Sequence, residues 1–369
     1  MNVLSLFDGM ACGRLALEKA GIKVDNYFAS EIDKYAMTIA KKNWPDIIHV
    51  GDVQKVKGAD LPKIDLLIGG SPCQGFSFAG KQLNFDDPRS KLFFDFVRLK
   101  DECKPKYFLL ENVKMKKESQ QIITEYMGVD PVEINSALVS AQNRRRLYWS
   151  NLPIEQPEDK GIVLADILES GVIDRDKSYC IDANYFKGSN LNQYFKKSRR
   201  QIVLEPYALT EKRTEEAKRI RKESMKNNGK DYSPRRAKEL VPRTDGKMNC
   251  LTATYSMKEH IVVEKKIKFE NKPYESKYRQ DKTTTIAAEK HPTLRANAGG
   301  KARGIGIHDE DLYWRKLTPI ECERLQTVPD NYTEGVSNTQ RYKMLGNGWT
   351  VDVIAHIFKK IIDTPHKTA

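Results

Sequence analysis

The chain has 369 residues, long for one ordinary domain and short for three, so a large domain with a smaller companion is expected. Its 63 basic and 50 acidic residues leave a net charge of +13, which favours an anionic polymer such as nucleic acid as partner. Six cysteines without a CxxC pair argue against a disulfide scaffold or a zinc centre, so no metal is expected. No apolar run has membrane-spanning length, and "MNVLSLFDG" reads as a first strand rather than a signal peptide; a soluble, cytoplasmic protein with free thiols is the expectation.

From Met1 to about Pro153 short β-type runs alternate with helical ones. "VLSLF" precedes a helix ending near Ala20 with Gly21 as its stop, and "YFAS" precedes "DKYAMTIAKKN", closed by Trp44 and Pro45. Then come "IIHVGD", "IDLLIGG", the amphipathic "KLFFDFVRLKDEC" broken by Pro105, "YFLLENV", and the pair "VEINSALV" and "RRLYWS". Apolar strands separated by crossover helices predict an α/β fold, a mostly parallel sheet with helices on both faces and ligands at the carboxyl ends of its strands. From about 154 to 312 the sequence is basic and loop-rich, with one long polar helix predicted over "TEKRTEEAKRIRKESMKNN", stopped at Gly229 and carrying a Glu215–Arg219 pair at i,i+4 spacing. Three loosely similar blocks, "SYCIDANYFKG", "MNCLTATYSM" and "HPTLRANAGG", are too divergent to form a repeat array. Regular sequence returns near Trp314. "LTPIECERLQ" is predicted as a helix capped by Thr318, with Pro319 in its first turn and Glu321 completing a capping box, and "TVDVIAHIFKKII" as an amphipathic last helix.

Several residues at predicted strand ends carry chemistry. "FDGMACG" is a Gly-containing turn between strand and helix, with Glu31 roughly twenty residues on, a spacing that suits a nucleoside whose ribose meets a carboxylate. It is not GxGxxG, which points to a smaller adenosine derivative rather than a pyrophosphate cofactor; a plain structural turn is the alternative. Asp52 offers an acceptor for an adenine amino group, or is simply an exposed turn aspartate. Cys73, in "GGSPCQGFS", stands after a strand beside Pro72 and between Gly70 and Gly75, where a thiol is accessible rather than packed in a core. Glu111 follows the run "YFLL", and in "QNRRRLYW" an extended segment sends Arg144 and Arg146 to one side and Arg145 to the other.

In this order the motifs resemble those of the DNA cytosine-5 methyltransferases: "FDGMACG" the cofactor loop, "SPCQGFS" the Pro-Cys loop, "ENV" the glutamate motif, "QNRRR" the QxRxR motif, and "LTPIECERLQTVPDNY" with "YKMLGNGWTV" the two terminal motifs. "SKLFFDFVRL", "RRLYWSNLP" and "LGNGW" are similar to the de novo branch of that family. The resemblance implies a Rossmann-like S-adenosylmethionine-dependent fold built from 1–153 and 313–369, with 154–312 as a smaller, irregular target-recognition domain. It implies methyl transfer from S-adenosylmethionine to C5 of a flipped-out cytosine in duplex DNA, through a covalent bond from Cys73 to C6.

The resemblance also implies a role for each site residue. Glu111, held protonated by burial, serves the ring nitrogen N3; Arg146 holds O2, and Arg144 supports the cysteine loop or a phosphate. The cofactor residues are Phe7, Asp8, Gly9, Glu31, Ile32, Asp52, Val53, Ser71, Leu92, Asn347, Gly348 and Trp349, and the DNA contacts are Gln74, Ser77, Arg295, Asn297 and Arg303. The first loop departs from the Gly-Gly pair of many bacterial members, reading Met-Ala-Cys-Gly. The expected enzyme is a monomer acting on double-stranded DNA in a bacterial or phage-infected cell, with a cognate restriction endonuclease as a candidate partner. A tRNA-methylating relative is the nearest alternative, but the Pro-Pro-Cys and Cys-Phe-Thr signatures of that branch are absent. A silent nucleic-acid-binding paralogue is disfavoured by the intact Cys73, Glu111, Arg144 and Arg146.

Overall fold

The structure, a computed structural model, describes residues 1–72, 92–171, 173–188, 194, 197–204, 209–229, 238–242 and 314–363. The first part runs β1 (Asn2–Leu6), α1 (Cys12–Lys19), β2 (Asn26–Ser30), α2 (Lys34–Asn43), β3 (Ile48–His49), β4 (Leu66–Gly69), α3 (Leu92–Cys103), β5 (Tyr107–Val113), α4 (Lys117–Met127), β6 (Val132–Asn135), β7 (Gln142–Asn143), β8 (Arg145–Ser150) and α5 (Leu164–Ile167). After it come β9 (Ser178–Tyr179), β10 (Ile202–Leu204), β11 (Leu209–Arg213), α6 (Glu215–Asn228), β12 (Lys238–Pro242), β13 (Trp314–Lys316), α7 (Pro319–Leu325), α8 (Asn338–Asn347) and α9 (Val351–Asp363). No helix among the described residues is long and apolar enough to cross a membrane.

Seven strands form one sheet in the order β3-β2-β1-β4-β5-β8-β6. The pairings from β3 through β5 are parallel, while β8 runs antiparallel to both β5 and β6. This is the α/β architecture expected from the alternating pattern. Strand residues alternate between faces: Leu4, Leu6, Leu67, Phe108 and Leu110 join Phe93, Phe96 and Leu99 of α3 and Ile123 and Met127 of α4 in one core. On the other face α1 packs against α9, whose Val353, Ile354, Ile357 and Phe358 are buried, each such side chain contributing about 1.5–3 kcal/mol.

Local signals set most helix ends. Asp33 caps α2 by accepting from Tyr35 N, and Thr318 and Glu321 form the predicted capping box of α7. The predicted long polar helix is shorter: Thr214 caps α6 by accepting from Ala217 N, and the preceding Leu209–Arg213 is β11, antiparallel to β12. Strand pairing with a segment some distance along the chain overrides the helical pattern there. Arg219 bonds Glu216 and Glu223, and Glu215 bonds Lys218, instead of the expected Glu215–Arg219 pair.

The chain divides into two compact units, 1–169 with 175–202 and 316–369, and 170–174 with 203–315. In the first, the carboxyl-terminal segment is tied down by buried polar groups. Glu323, fully buried, accepts from Asn331 N at 2.7 Å, Thr333 N at 2.8 Å and Arg341 Nη2 at 2.9 Å. A Cβ added at Gly346 in α8 would lie 2.2 Å from the carbonyl carbon of Asp182 and 2.4 Å from Ala183 N. Backbone cannot yield there as the end of a side chain can. Gly346→Ala is expected to lower stability by about 1–3 kcal/mol, read as a fall in the thermal unfolding midpoint; an unchanged midpoint would show that this close approach is not required.

Candidate active site at the carboxyl ends of the strands

The strand order reverses between β1 and β4, and an open sheet of this kind has its ligand crevice at that point, beyond the carboxyl ends of the strands. The loop after β1 is wound tightly: Phe7, Gly9 and Ala11 have φ of 56°, 62° and 65°. For Phe7 and Ala11 this left-handed backbone costs about 1–3 kcal/mol each, so the surroundings must hold it. They do so through Asp8 N to Ser30 O at 3.1 Å, Ala11 N to Asp8 O at 3.2 Å and the Tyr332 hydroxyl to Met10 O at 2.9 Å.

Glu31, just past β2, receives Gly9 N at 2.8 Å on Oε2, and Ile32 N at 2.7 Å and Asp33 N at 2.8 Å on Oε1. One carboxylate thus ties the first loop to the end of the second strand, and Oε2, with a single donor, keeps further acceptor capacity. Ile32 beside it is 76% exposed, an apolar side chain presented at the crevice. Asp52 Oδ1 accepts from Gln54 N at 3.1 Å, Val53 is buried in the core with its carbonyl bound by Arg98 Nη2 at 3.0 Å, and Leu92 opens α3 against the same core. Ser71 is buried, its Oγ accepting from Asn112 Nδ2 at 3.1 Å, which fixes the chain two residues before Cys73.

Asp8 is buried. Its Oδ1 accepts from the Tyr27 hydroxyl at 2.7 Å, and Oδ2 has no hydrogen-bond partner among the described residues. Burial pushes its carboxyl from near 3.8 up to about 7, against the hydroxyls of Ser5 and Tyr27, with the charge of Glu31 adding to the rise. A carboxyl raised in the folded state stabilises the fold below the unfolded pKa, and that contribution is lost as pH climbs through the folded one. The thermal midpoint of the wild type should therefore lose Asp8's contribution between pH 3.8 and about 7. Asp8→Asn is expected to flatten that slope in a thermal unfolding series across the range; an unaltered slope would refute it.

The second cluster comes from strand register. In the antiparallel pair β5–β8, Glu111 lies opposite Tyr148 and Val113 opposite Arg146, so Glu111 and Arg146 are diagonal neighbours on one face. Arg146 Nε sits 2.9 Å from Glu111 Oε1, and the Trp349 indole Nε1 donates to Oε2 at 3.2 Å. Glu111 is inside β5 rather than just after it, because pairing with β8 carries the strand on to Val113. Gly70 closes the cluster: a Cβ there would stand 2.9 Å from Glu111 Oε2 and 3.0 Å from Trp349 Nε1. The Trp349 ring also comes within 3.5 Å of a Cβ placed on Gly13, so it touches the first loop's helix as well.

Arg144 and Arg146 do share a side, whereas Arg145 turns away to Glu133. Arg144 lies between β7 and β8, buried, and donates to Ile181 O at 3.1 Å, to Gly346 O at 3.3 Å and to Gly348 O at 2.8 Å. These bonds brace the "GNGW" loop that carries Asn347, Gly348 and Trp349. Two buried glutamines outside the expected site residues share this work. Gln326 Nε2 donates to Leu345 O at 2.6 Å and Gly348 O at 3.1 Å, and its Oε1 accepts from Gln142 Nε2 at 3.0 Å and the Thr350 hydroxyl at 2.9 Å. The signal is present in both motifs, since a glutamine in an apolar context must find partners when buried. Cys73, Gln74, Ser77, Arg295, Asn297 and Arg303 lie outside the described residues. Among the described residues no group of acidic, histidine and cysteine side chains is arranged to hold a metal.

A family profile for C-5 cytosine-specific DNA methylases matches residues 1–363. The orphan methyltransferase M.SPRI of Bacillus phage SPR is 28% identical, over 99% of this chain and 98% of its own. The type II methyltransferase M1.ScrFI of Lactococcus lactis subsp. cremoris is 30% identical, over 100% of this chain and 79% of its own. Among solved structures, a mutant form of Spodoptera frugiperda DNMT2 superposes with a TM-score of 0.56 at 18% identity, over 98% of this chain and 99% of its own. The Entamoeba histolytica methyltransferase EhMeth superposes with a TM-score of 0.57 at 15% identity, over 98% of both chains. These two likenesses are of fold.

Proposed function

The chain belongs to the C-5 cytosine-specific DNA methylase family and is a DNA cytosine-5 methyltransferase; from that premise we propose that it acts on a cytosine turned out of duplex DNA, through a transient bond from Cys73 to C6. The observation that carries this reading is the cluster of Glu111, Arg146 and Trp349 beside Gly70, next to the crevice that follows β1.

Family membership implies S-adenosylmethionine as the donor, which when bound supplies an electrophilic methyl group. The crevice fits it. Glu31 keeps acceptor capacity for ribose hydroxyls, the exposed Ile32 suits the face of adenine, and the tight backbone at Phe7 to Ala11 allows close approach. Asp52 is assigned to the adenine amino group, and Asp8, Gly9, Val53, Ser71, Leu92, Asn347, Gly348 and Trp349 to the remaining walls.

C5 of cytosine is too weak a nucleophile on its own. The Cys73 thiolate adds its sulfur to C6, the C5–C6 double bond opens, and the electron pair is delivered towards C5 and N3. Glu111 in its acid form donates a hydrogen bond to N3 while Arg146 places its positive charge at O2, so the charge that grows on the ring meets positioned donors. In the structure Glu111 accepts from both Arg146 and Trp349; arrival of the base exchanges one of these contacts for N3. After C5 takes the methyl group, loss of its proton to a base restores the double bond and expels the Cys73 thiolate.

Residues 154–312 are assigned to target recognition, with Arg295, Asn297 and Arg303 at base edges and Gln74 and Ser77 beside the flipped nucleotide. The net charge of +13 suits a phosphate backbone. Incubation with tritiated S-adenosylmethionine and either duplex DNA or tRNA tests the reading. Label recovered as 5-methylcytosine in DNA is expected; label in tRNA, or in neither, would overturn it.

A further inference from the structure

The register of β7 on β9 brings one more group into the site. Gln142 pairs with Ser178 and Asn143 with Tyr179, in parallel, so Arg144 and Cys180 leave the two strands side by side. The half-buried Cys180 sulfur lies 3.4 Å from Arg144 Nη1 and 3.9 Å from Arg146 Nη2, and 3.5 Å from Ile181 O. Arg146 is the guanidinium whose Nε meets Glu111 at 2.9 Å. A single cation therefore spans a carboxylate and a sulfur, while its Nη1 is held by Arg145 O at 2.8 Å.

We propose that Cys180 is a positioning residue for methyl transfer, its sulfur retaining the Arg146 guanidinium at the cytosine O2 once the incoming base has drawn Glu111 away. This rests on the assignment of Glu111 and Arg146 to the flipped cytosine. The physical need is plain: a guanidinium that loses its carboxylate in a confined site must keep acceptors for its N–H groups, and a long arginine side chain otherwise regains its rotamer freedom. Sulfur suits the task better than a carboxylate. A second carboxylate would form a strong paired contact with Arg146 and compete with O2, whereas a sulfur is a soft acceptor that guides the cation without capturing it. Burial acts to raise the Cys180 pKa, but the facing charges of Arg144 and Arg146 outweigh it and hold the thiol below its ordinary value, which strengthens the sulfur as an acceptor.

The test is a double-mutant cycle on full-length enzyme, read as single-turnover transfer to duplex DNA with enzyme in excess. Cys180→Ala is expected to lower the rate about tenfold, and Cys180→Ser to recover most of it, because an acceptor is restored. In an Arg146→Ala background the same Cys180→Ala change should alter the rate less than about twofold, since the residue it acts through is gone. A purely structural role would not show this coupling. Wild-type activity in Cys180→Ala, or the same loss with and without Arg146, overturns the proposal. Should Cys180→Ala fail to fold by circular dichroism, Cys180→Val, which removes the acceptor but keeps the volume, carries the same cycle, and a valine effect that persists without Arg146 overturns it equally. Wild-type enzyme that labels no DNA removes the parent reading, whereas normal wild-type transfer with an indifferent Cys180→Ala removes this proposal alone.

Discussion

Alanine in place of Cys73 is expected to leave no measurable methyl transfer while DNA is still bound. Without the thiolate nothing opens the C5–C6 double bond, and C5 stays too poor a nucleophile to attack a methyl group. The loss belongs to the chemical step, so the rate at saturating DNA should collapse while affinity for duplex holds. DNA carrying 5-fluorocytosine gives a second readout. Fluorine at C5 cannot leave as a proton, so wild-type enzyme should accumulate a covalent complex that survives denaturing electrophoresis, and Cys73→Ala should form none. Among the described residues, Asn112 in β5 bonds Ser71, and a Cβ on Gly70 would stand 2.9 Å from Glu111 Oε2. Activity retained in Cys73→Ala would mean that another group attacks C6.

Glu111→Gln is the second large effect, a fall in kcat of about 10²–10³ with a matching fall in kcat/KM. Glutamine keeps nearly the same shape and an oxygen that Trp349 can still reach, so the fold should survive. What changes is the charge facing Arg146 and the ability to pass a proton towards N3. Arg146 would then face a neutral amide, and its preference between Glu111 and cytosine O2 would shift before the reaction begins. A wild-type rate for Glu111→Gln would take the carboxylate out of the mechanism. Affinity for S-adenosylmethionine, measured by calorimetry, should be nearly unchanged, which separates a failure of chemistry from one of cofactor binding.

How far these groups are readable from the residues alone depends on how local their cause is. The capping box of α7 follows from Thr318, Pro319 and Glu321 within a single turn, so the residues alone predict it. The α/β order of 1–153 follows from apolar runs broken by Gly and Pro, each signal contained within its own segment. The start of α6 departs from its pattern because Leu209–Arg213 finds a strand partner in Lys238–Pro242, which no property of the first segment announces. The expected Glu215–Arg219 pair gives way for a related reason: Glu216 and Glu223 stand at competing helical spacings, and side-chain geometry chooses between them.

By itself the order of residues determined the class of fold, through periodicities of a few residues, while its ordered motifs carried the resemblance that pointed to the family and to the expected reacting groups. Tertiary structure decided how the groups meet. Only the antiparallel register of β5 and β8 makes Glu111 and Arg146 neighbours, only the return of the carboxyl-terminal loop puts the Trp349 indole on the same carboxylate, and only the pairing of β7 with β9 sets Cys180 beside two arginines. Each of these contacts joins residues tens to hundreds of positions apart. Such proximity is a property of the packed sheet, in which the cost of closing long loops is met by burial of the core rather than by any preference of the residues that come together.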